Sequence, residues 1–194
     1  MKLHVIVTVY NRHEPLAILI RLFQQQSNSN WLMTVAHDGP APQTVKDVIA
    51  ERNDPRITFY EHPRNLGSWG FPLRRLMLQN IQGDPNDFVV ISNDDNIYVP
   101  RFVEFVLAEV KPEIGIIYWD IVHSHQNYNI LVSEMKVNFM DMGGCAVRLD
   151  IAKEVGIKHD VFYADGLYAE ECDMRCAEKQ LIHFKIPKPL FTHC

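Results

Sequence analysis

Residues 88–96 read Phe-Val-Val-Ile-Ser-Asn-Asp-Asp-Asn. The first five are apolar or small, with three β-branched residues at the centre, as expected of a strand buried on both faces. The next four are amides and carboxylates, which are costly to bury unless water, a metal or a hydrogen-bonding ligand meets them. An apolar strand that ends abruptly in oxygen donors suits a parallel sheet, because ligands collect outside the carboxyl ends of such strands.

The same pattern recurs on either side. Residues 2–9 (KLHVIVTV) form another short apolar run, and Pro15 then opens a helical period with Leu16, Leu19, Ile20 and Phe23 on one face. Residues 31–36 read as a second strand ending at His37-Asp38-Gly39-Pro40, and Val45, Val48 and Ile49 mark a second helix. A third strand at 57–61 and a third helix through Leu73, Leu76, Met77 and Ile81 lead into the strand at 88–92. This alternation predicts an α/β fold with a mainly parallel, doubly wound sheet and helices on both faces. Further on, the spacing predicts a helix through Phe102, Val103 and Val106, a strand at 114–121 and a short helix from Asp150 stopped by Gly156. A helix opening within 168–175 and a last strand at 181–186 follow. No repeat or linker interrupts residues 1–194, so one domain is expected, with 1–100 reading as a nucleotide module and 101–194 as a substrate module.

Composition narrows the function classes. Nineteen Lys and Arg against 24 Asp and Glu give a net charge of −5, which excludes a general nucleic-acid surface. The longest apolar runs, 16–20 and 114–119, fall far short of the roughly 20 residues that span a bilayer, so no integral membrane segment is expected. No small-residue cleavage site follows the first strand. Cys145, Cys172, Cys176 and Cys194 lack paired zinc spacing and read as reduced thiols, pointing to the cytoplasm. Neither GxGxxG nor a P-loop is present, which leaves dinucleotide and ATPase chemistry unsupported.

The strand ends carry the candidate chemistry. Asp38 follows the second strand, although an Asp-Gly there is equally a turn. Asn93, Asp94, Asp95 and Asn96 follow the fourth, and such hard oxygen donors suit Mn²⁺ or Mg²⁺ held by one or two carboxylates plus substrate phosphates. Glu170, Glu171 and Asp173 open a late helix, and His193 lies near the end.

Taken in order, several motifs resemble the family 2 glycosyltransferases of GT-A fold. They are Val9-Tyr10-Asn11-Arg12, Asp38-Gly39, Asn65-x-Gly67, Asp94-Asp95-Asn96 with Pro100, Asp141-x-Gly143-Gly144, Glu170-Glu171-x-Asp173 and Thr192-His193. The resemblance implies inverting transfer of a sugar from a UDP- or GDP-linked donor to a hydroxyl of a glycan, lipid or small molecule, with Mn²⁺ or Mg²⁺. It implies that Val9, Tyr10, Asn11, Arg12, Asp38, Asn65, Gly67, Arg75 (or Arg74), Asn93 and Asp94 hold the nucleotide sugar, Asp38 accepting from a base N–H. Asp95 and His193 would hold the metal, and Gly143 and Gly144 would admit donor sugar or acceptor. Glu171 falls at the general base, with Glu170 and Asp165 in reserve. The chain departs from the family in having Asn93 for the first Asp of Asp-x-Asp, Glu171 for an aspartate and Thr8-Val9 for Pro-Thr. Two other readings compete: a non-catalytic nucleotide-sugar or glycan-binding domain, which Asn93 keeps open, and a nucleotidyltransferase. The latter would want a glycine- and lysine-rich loop where Tyr10-Asn11-Arg12-His13 stands.

Overall fold

In the computed structural model, which describes Met1–Cys194, strand β1 (Leu3–Val9) is buried at all seven positions. Alternate side chains serve opposite faces of the sheet. Leu3, Val5, Val7 and Val9 pack with Leu16, Leu19, Ile20 and Phe23 of helix α1 (His13–Gln24), while Ile6 joins the cluster on the other face. Burial on both sides is the physical reason for an unbroken apolar run.

Strands β2 (Trp31–His37), β3 (Ile57–Glu61) and β4 (Phe88–Asn93) alternate with helices α2 (Gln43–Arg52) and α3 (Phe71–Asn80). The four strands lie parallel in the order β3-β2-β1-β4. Register places Val9 beside His37 and Thr8 beside Asn93, so the segments that follow these residues leave the sheet along one edge.

The second half adds β5 (Ile97–Tyr98), α4 (Phe102–Ala108), β6 (Ile114–His123), β7 (Asn129–Leu131), β8 (Cys145–Arg148), α5 (Leu149–Val155), α6 (Ala164–Glu178) and β9 (Ile182–His193). The sheet continues β4-β8-β6-β9-β5, with β7 on β6. Strands β6 and β9 are again parallel, while β8 runs antiparallel to both neighbours and joins two parallel blocks. The outcome is one mixed α/β domain. Helices α1, α2 and α4 cover one face and α3, α5 and α6 the other.

Two elements run further than the sequence pattern indicates, and both shape the site. Strand β9 continues to His193 despite Pro187 and Pro189. Pro189 lies opposite Asp120, where the register with β6 shifts, and an irregular pairing tolerates a missing N–H. Helix α6 begins at Ala164, not near residue 168, because Gly166 is helical and not a loop residue. A Cβ there would stand 2.4 Å from the Val137 Cα, so glycine is what lets the crossing segment close on the helix. We expect Gly166→Ala to force the two apart and cost about 1–3 kcal/mol. Thermal melts check this, and an unchanged Tm would mean that the crossing segment yields freely.

Candidate active site

A cleft of about 520 Å³ opens along the carboxyl edge of the sheet. Its lining brings together Val9, Tyr10, Arg12, Asp38, Asn65, Gly67, Asn93, Asp94 and His193, nine of the residues singled out by sequence. A larger hollow of about 630 Å³ lies elsewhere, around His4, Thr58 and Tyr60, and it has no converging carboxylates.

At one end, Asp38 is buried and its carboxylate is already engaged. Oδ1 accepts from the Leu66 N–H at 2.7 Å, and Oδ2 accepts from the Gly67 N–H at 3.0 Å and the Asn65 amide at 3.3 Å. It pins the loop after β3. His37, which sequence reasoning passed over, is wholly buried beside it. Its Nδ1 lies 2.8 Å from the Gly39 carbonyl and its Nε2 lies 3.2 Å from the Asn11 N–H. One tautomer satisfies both, Nδ1 donating and Nε2 accepting, and holds Asn11 at a left-handed φ of 55°. Tyr10 stands exposed above, tilted against the His37 ring.

In the middle, Arg12 straddles the two carboxylates of the β4–β5 turn. It pairs with Asp94 through Nη2 and with Asp95 through Nη1 at 2.7 Å. Burial raises the Asp94 carboxyl to about 6, against the pull of Arg12. Arg74 of α3 is buried beneath the cleft and donates to the Asn93 side-chain oxygen. It faces the charges of Asp165, Asp141, Asp94 and Asp95. Arg75 does not share this position. It turns outward to Asp160 at 2.7 Å and to the Ile157 carbonyl, because adjacent helix residues point about 100° apart.

At the far end, His193 Nδ1 meets Asp141 Oδ2 at 2.6 Å, and the bond from Asp141 holds the imidazole above its usual pKa. Asp165, on the first turn of α6, accepts from the Met142 N–H through Oδ2, while its buried Oδ1 has no partner. Burial, reinforced by Asp141 and opposed by Arg74, pushes this carboxyl up to about 7.

Other expected residues are placed elsewhere. Glu171 points away from the cleft into a shallow hollow with Lys158, Arg175 and Glu178. It pairs with Lys158 and His159, each at 3.1 Å. Burial alone would raise its pKa, but those partners win and hold it below the usual range. Glu170 is spent on the Val137 N–H at 2.9 Å. The physical reason for both is the earlier start of α6, which moves the cleft-facing turn to Asp165. Gly143 and Gly144 are buried and do not line the cleft. Added Cβ atoms would meet Asn96 and Met140, each at 2.8 Å, so these glycines serve close packing within the chain. Asp141, Trp69 and Phe162 also line the cleft. Asp141 was legible as the acid before the glycine pair; the two exposed aromatics carried no periodic signal.

No three His, Cys, Asp or Glu side chains form a closed cation cage. An open site is a different matter. Asp95 has a buried Oδ1 without any hydrogen-bond partner, and its charge is felt at His193, whose second ring nitrogen is not held by Asp141. One or two protein ligands completed by substrate phosphates is how Mg²⁺ is usually bound, so the donor set fits a divalent cation.

Residues 4–147 match the family model described as glycosyl transferase family 2. The chain belongs to that family. Solved structures extend the likeness beyond the matched segment. S. aureus TarS 1-349 in complex with UDP superposes over 100% of this chain and 60% of its own, with a TM-score of 0.77 and 14% identity. The same TarS fragment in complex with UDP-GlcNAc gives 0.75 at 15% identity, over 100% of this chain and 58% of its own. Mannosyltransferase PcManGT from Pyrobaculum calidifontis, in complex with GDP-Man and Mn²⁺, gives 0.76 at 15% identity, over 99% and 56%. At such identities the shared property is the GT-A fold. This family 2 domain spans about 60% or less of the length of those proteins.

Proposed function

We propose that the chain moves a sugar from a UDP- or GDP-linked donor to a hydroxyl acceptor with inversion at the anomeric carbon, Asp165 acting as general base. The observation that carries this reading is the unpartnered, buried Oδ1 of Asp165 on the cleft wall, on a carboxyl raised to about 7. A base with a pKa near the working pH is the effective one. Glu171, ion-paired and held low, is both misplaced and weaker.

In this reading the β1–β4 half binds the nucleotide and the later half receives the acceptor. Arg12 and Arg74 supply positive charge where the diphosphate lies, and Asn93, fixed by Arg74, faces the ribose. The acceptor hydroxyl approaches from the face opposite the departing diphosphate and gives its proton to Asp165 Oδ1. Arg74 stabilises the ionised form of Asp165 before attack, as its charge opposes the burial that favours the neutral form. Asp95 and His193 would hold Mn²⁺ or Mg²⁺, which when bound stabilises the charge that builds on the leaving diphosphate. The bound ligands of TarS and PcManGT support UDP- or GDP-linked donors, and the Mn²⁺ of PcManGT supports the metal. Three buried thiols and no disulfide support a reducing, cytoplasmic setting, and no helix is long and apolar enough to cross a membrane.

Calorimetric titration of UDP and GDP, with Mn²⁺ and with chelator, tests the donor site. One nucleotide should bind more tightly with Mn²⁺, and Asp95→Ala should lose only that metal-dependent part. Failure of both nucleotides to bind would overturn the reading. Adding donor and acceptor should then give product whose anomeric configuration, read by NMR, is opposite to the donor's.

A further inference from the structure

Three histidines stand together where β6 and β9 end. His123 and His193 are register partners on these parallel strands, and His125 follows on the tight turn Ser124–Gln126. The turn is held by the Tyr128 N–H, which donates to the His123 carbonyl at 3.0 Å, with Asn127 at a left-handed φ of 55°. The ring centres form a nearly equilateral triangle, 5.0 Å from His123 to His125, 5.3 Å from His123 to His193 and 5.4 Å from His125 to His193. Packing alone does not account for the group. His123 is only 9% exposed, and its Nδ1 is buried without a hydrogen-bond partner, which is unfavourable unless something meets it.

The spacing matches a chemical requirement. A tetrahedral metal ion with nitrogen ligands at about 2.0–2.1 Å sets the centres of its imidazole rings about 5 Å apart. His193 is already arranged as ligating histidines are, with a carboxylate, Asp141 Oδ2, holding its Nδ1 at 2.6 Å and leaving Nε2 as the free lone pair. The nitrogens of the three rings do not yet converge on one point, and the rings meet at 27°, 69° and 84°. Rotation about Cβ–Cγ corrects the aim while leaving each ring centre nearly in place, and that torsion is soft. His125 is exposed, and His123 Nδ1 has no bond to lose. We propose that His123, His125 and His193 form a site for a borderline divalent transition-metal ion, of which Zn²⁺ is the type, with water as fourth ligand. Imidazole nitrogens suit such an ion, whereas Mn²⁺ and Mg²⁺ prefer carboxylate oxygens such as those of Asp95. The site goes beyond the donor-site reading and does not depend on it. The two share one atom: His193 Nε2 serves one metal at a time, so Zn²⁺ on the trio withdraws His193 from Mn²⁺.

The test uses Co²⁺ as an optical probe, because tetrahedral Co²⁺ absorbs visible light far more strongly than octahedral Co²⁺. Wild type titrated with Co²⁺ at pH 8 should develop the intense tetrahedral bands, and Zn²⁺ should erase them by competition. Zn²⁺ alone, without nucleotide, should also raise the Tm, as a ligand of the folded state does. Removing a group that merely orients a ligating histidine costs about 10–100-fold in metal affinity, so losing a ligand should weaken Zn²⁺ by at least about 100-fold. His125→Ala alters an exposed turn residue, and it should show that loss and lack the Co²⁺ bands while binding UDP with Mn²⁺ as wild type does. His123→Gln should lose Zn²⁺ likewise, with its metal-free Tm reporting that it is folded. Tetrahedral bands kept in His125→Ala, or missing from wild type, would overturn the trio and leave the donor site standing. Loss of Zn²⁺ in Asp95→Ala but not in His125→Ala would assign the ion to Asp95 and His193 and overturn it equally. A wild type that binds Zn²⁺ through the trio but neither UDP nor GDP would uphold this site and overturn the donor reading.

Discussion

Replacing Asp165 by asparagine should lower turnover by about 10²–10⁴-fold, the range typical of losing a general base, and leave the nucleotide dissociation constant unchanged. Glu171→Gln should keep wild-type turnover, since its partners are Lys158 and His159 on another face of α6. A base must be ionised, and burial beside Asp141 sets this carboxyl at about 7, so wild-type turnover should rise with pH through that value. The same shift has an opposite effect on stability. The folded protein keeps a proton that the unfolded chain releases near the ordinary aspartate value of 3.8, so the stability this gives is present below that value. It is lost as pH rises through about 7. The D165N variant should therefore melt above wild type at pH 8 and together with it near pH 4. Full turnover in D165N would place the proton elsewhere and end this mechanism.

Replacing Arg74 by methionine should be the most destabilising single change in the cleft. The guanidinium is buried and faces four carboxylates. Removing one partner of a buried charge group typically costs about 3–5 kcal/mol, because the other charges stay behind unpaired. Asp165 and Asp94 can relieve the loss by taking up protons, so the drop in Tm should be larger at pH 8 than near pH 5. For the same reason the acid limb of turnover should move to higher pH. A Tm equal to wild type at both pH values would show that the carboxylates are balanced by water and Arg12 alone.

The alternation of apolar runs and helical periods was enough to place β1 to β4, because strands buried on both faces leave an unbroken signature. It was also enough to put Asp38, Asn93, Asp94 and Arg12 at one edge, since parallel strands deliver their ends to the same side. The side chain proposed as the base was harder. Its placement depended on one helix start, and Gly166 reads as a loop residue unless the Val137 backbone crossing above it is known. The resemblance put the expected base at Glu171 with Asp165 in reserve, and the start of α6 at Ala164 is what brings Asp165 to the cleft wall. Arg74 and Arg75 are likewise indistinguishable in composition, and only the packing of α3 on the sheet decides which faces the carboxylates. Trp69 was invisible because no apolar period contains it and its placement comes from the loop between β3 and α3.

The antiparallel insertion of β8 between two parallel blocks also sets an order of assembly. Strands β1 to β4 and their helices can pair as they are synthesised, each crossover closing a short loop. The other block cannot, because β6 waits for β9, with the whole of β7 to α6 intervening. Closing so long a loop comes late, and the edge of β4 stays bare until β8 pairs with it. A refolding chain should therefore pass through a state in which the Asp38 end of the cleft exists while the wall bearing Asp141, Asp165 and His193 does not. Such a state presents an unpaired apolar strand to its neighbours, and refolding yield should fall as protein concentration rises.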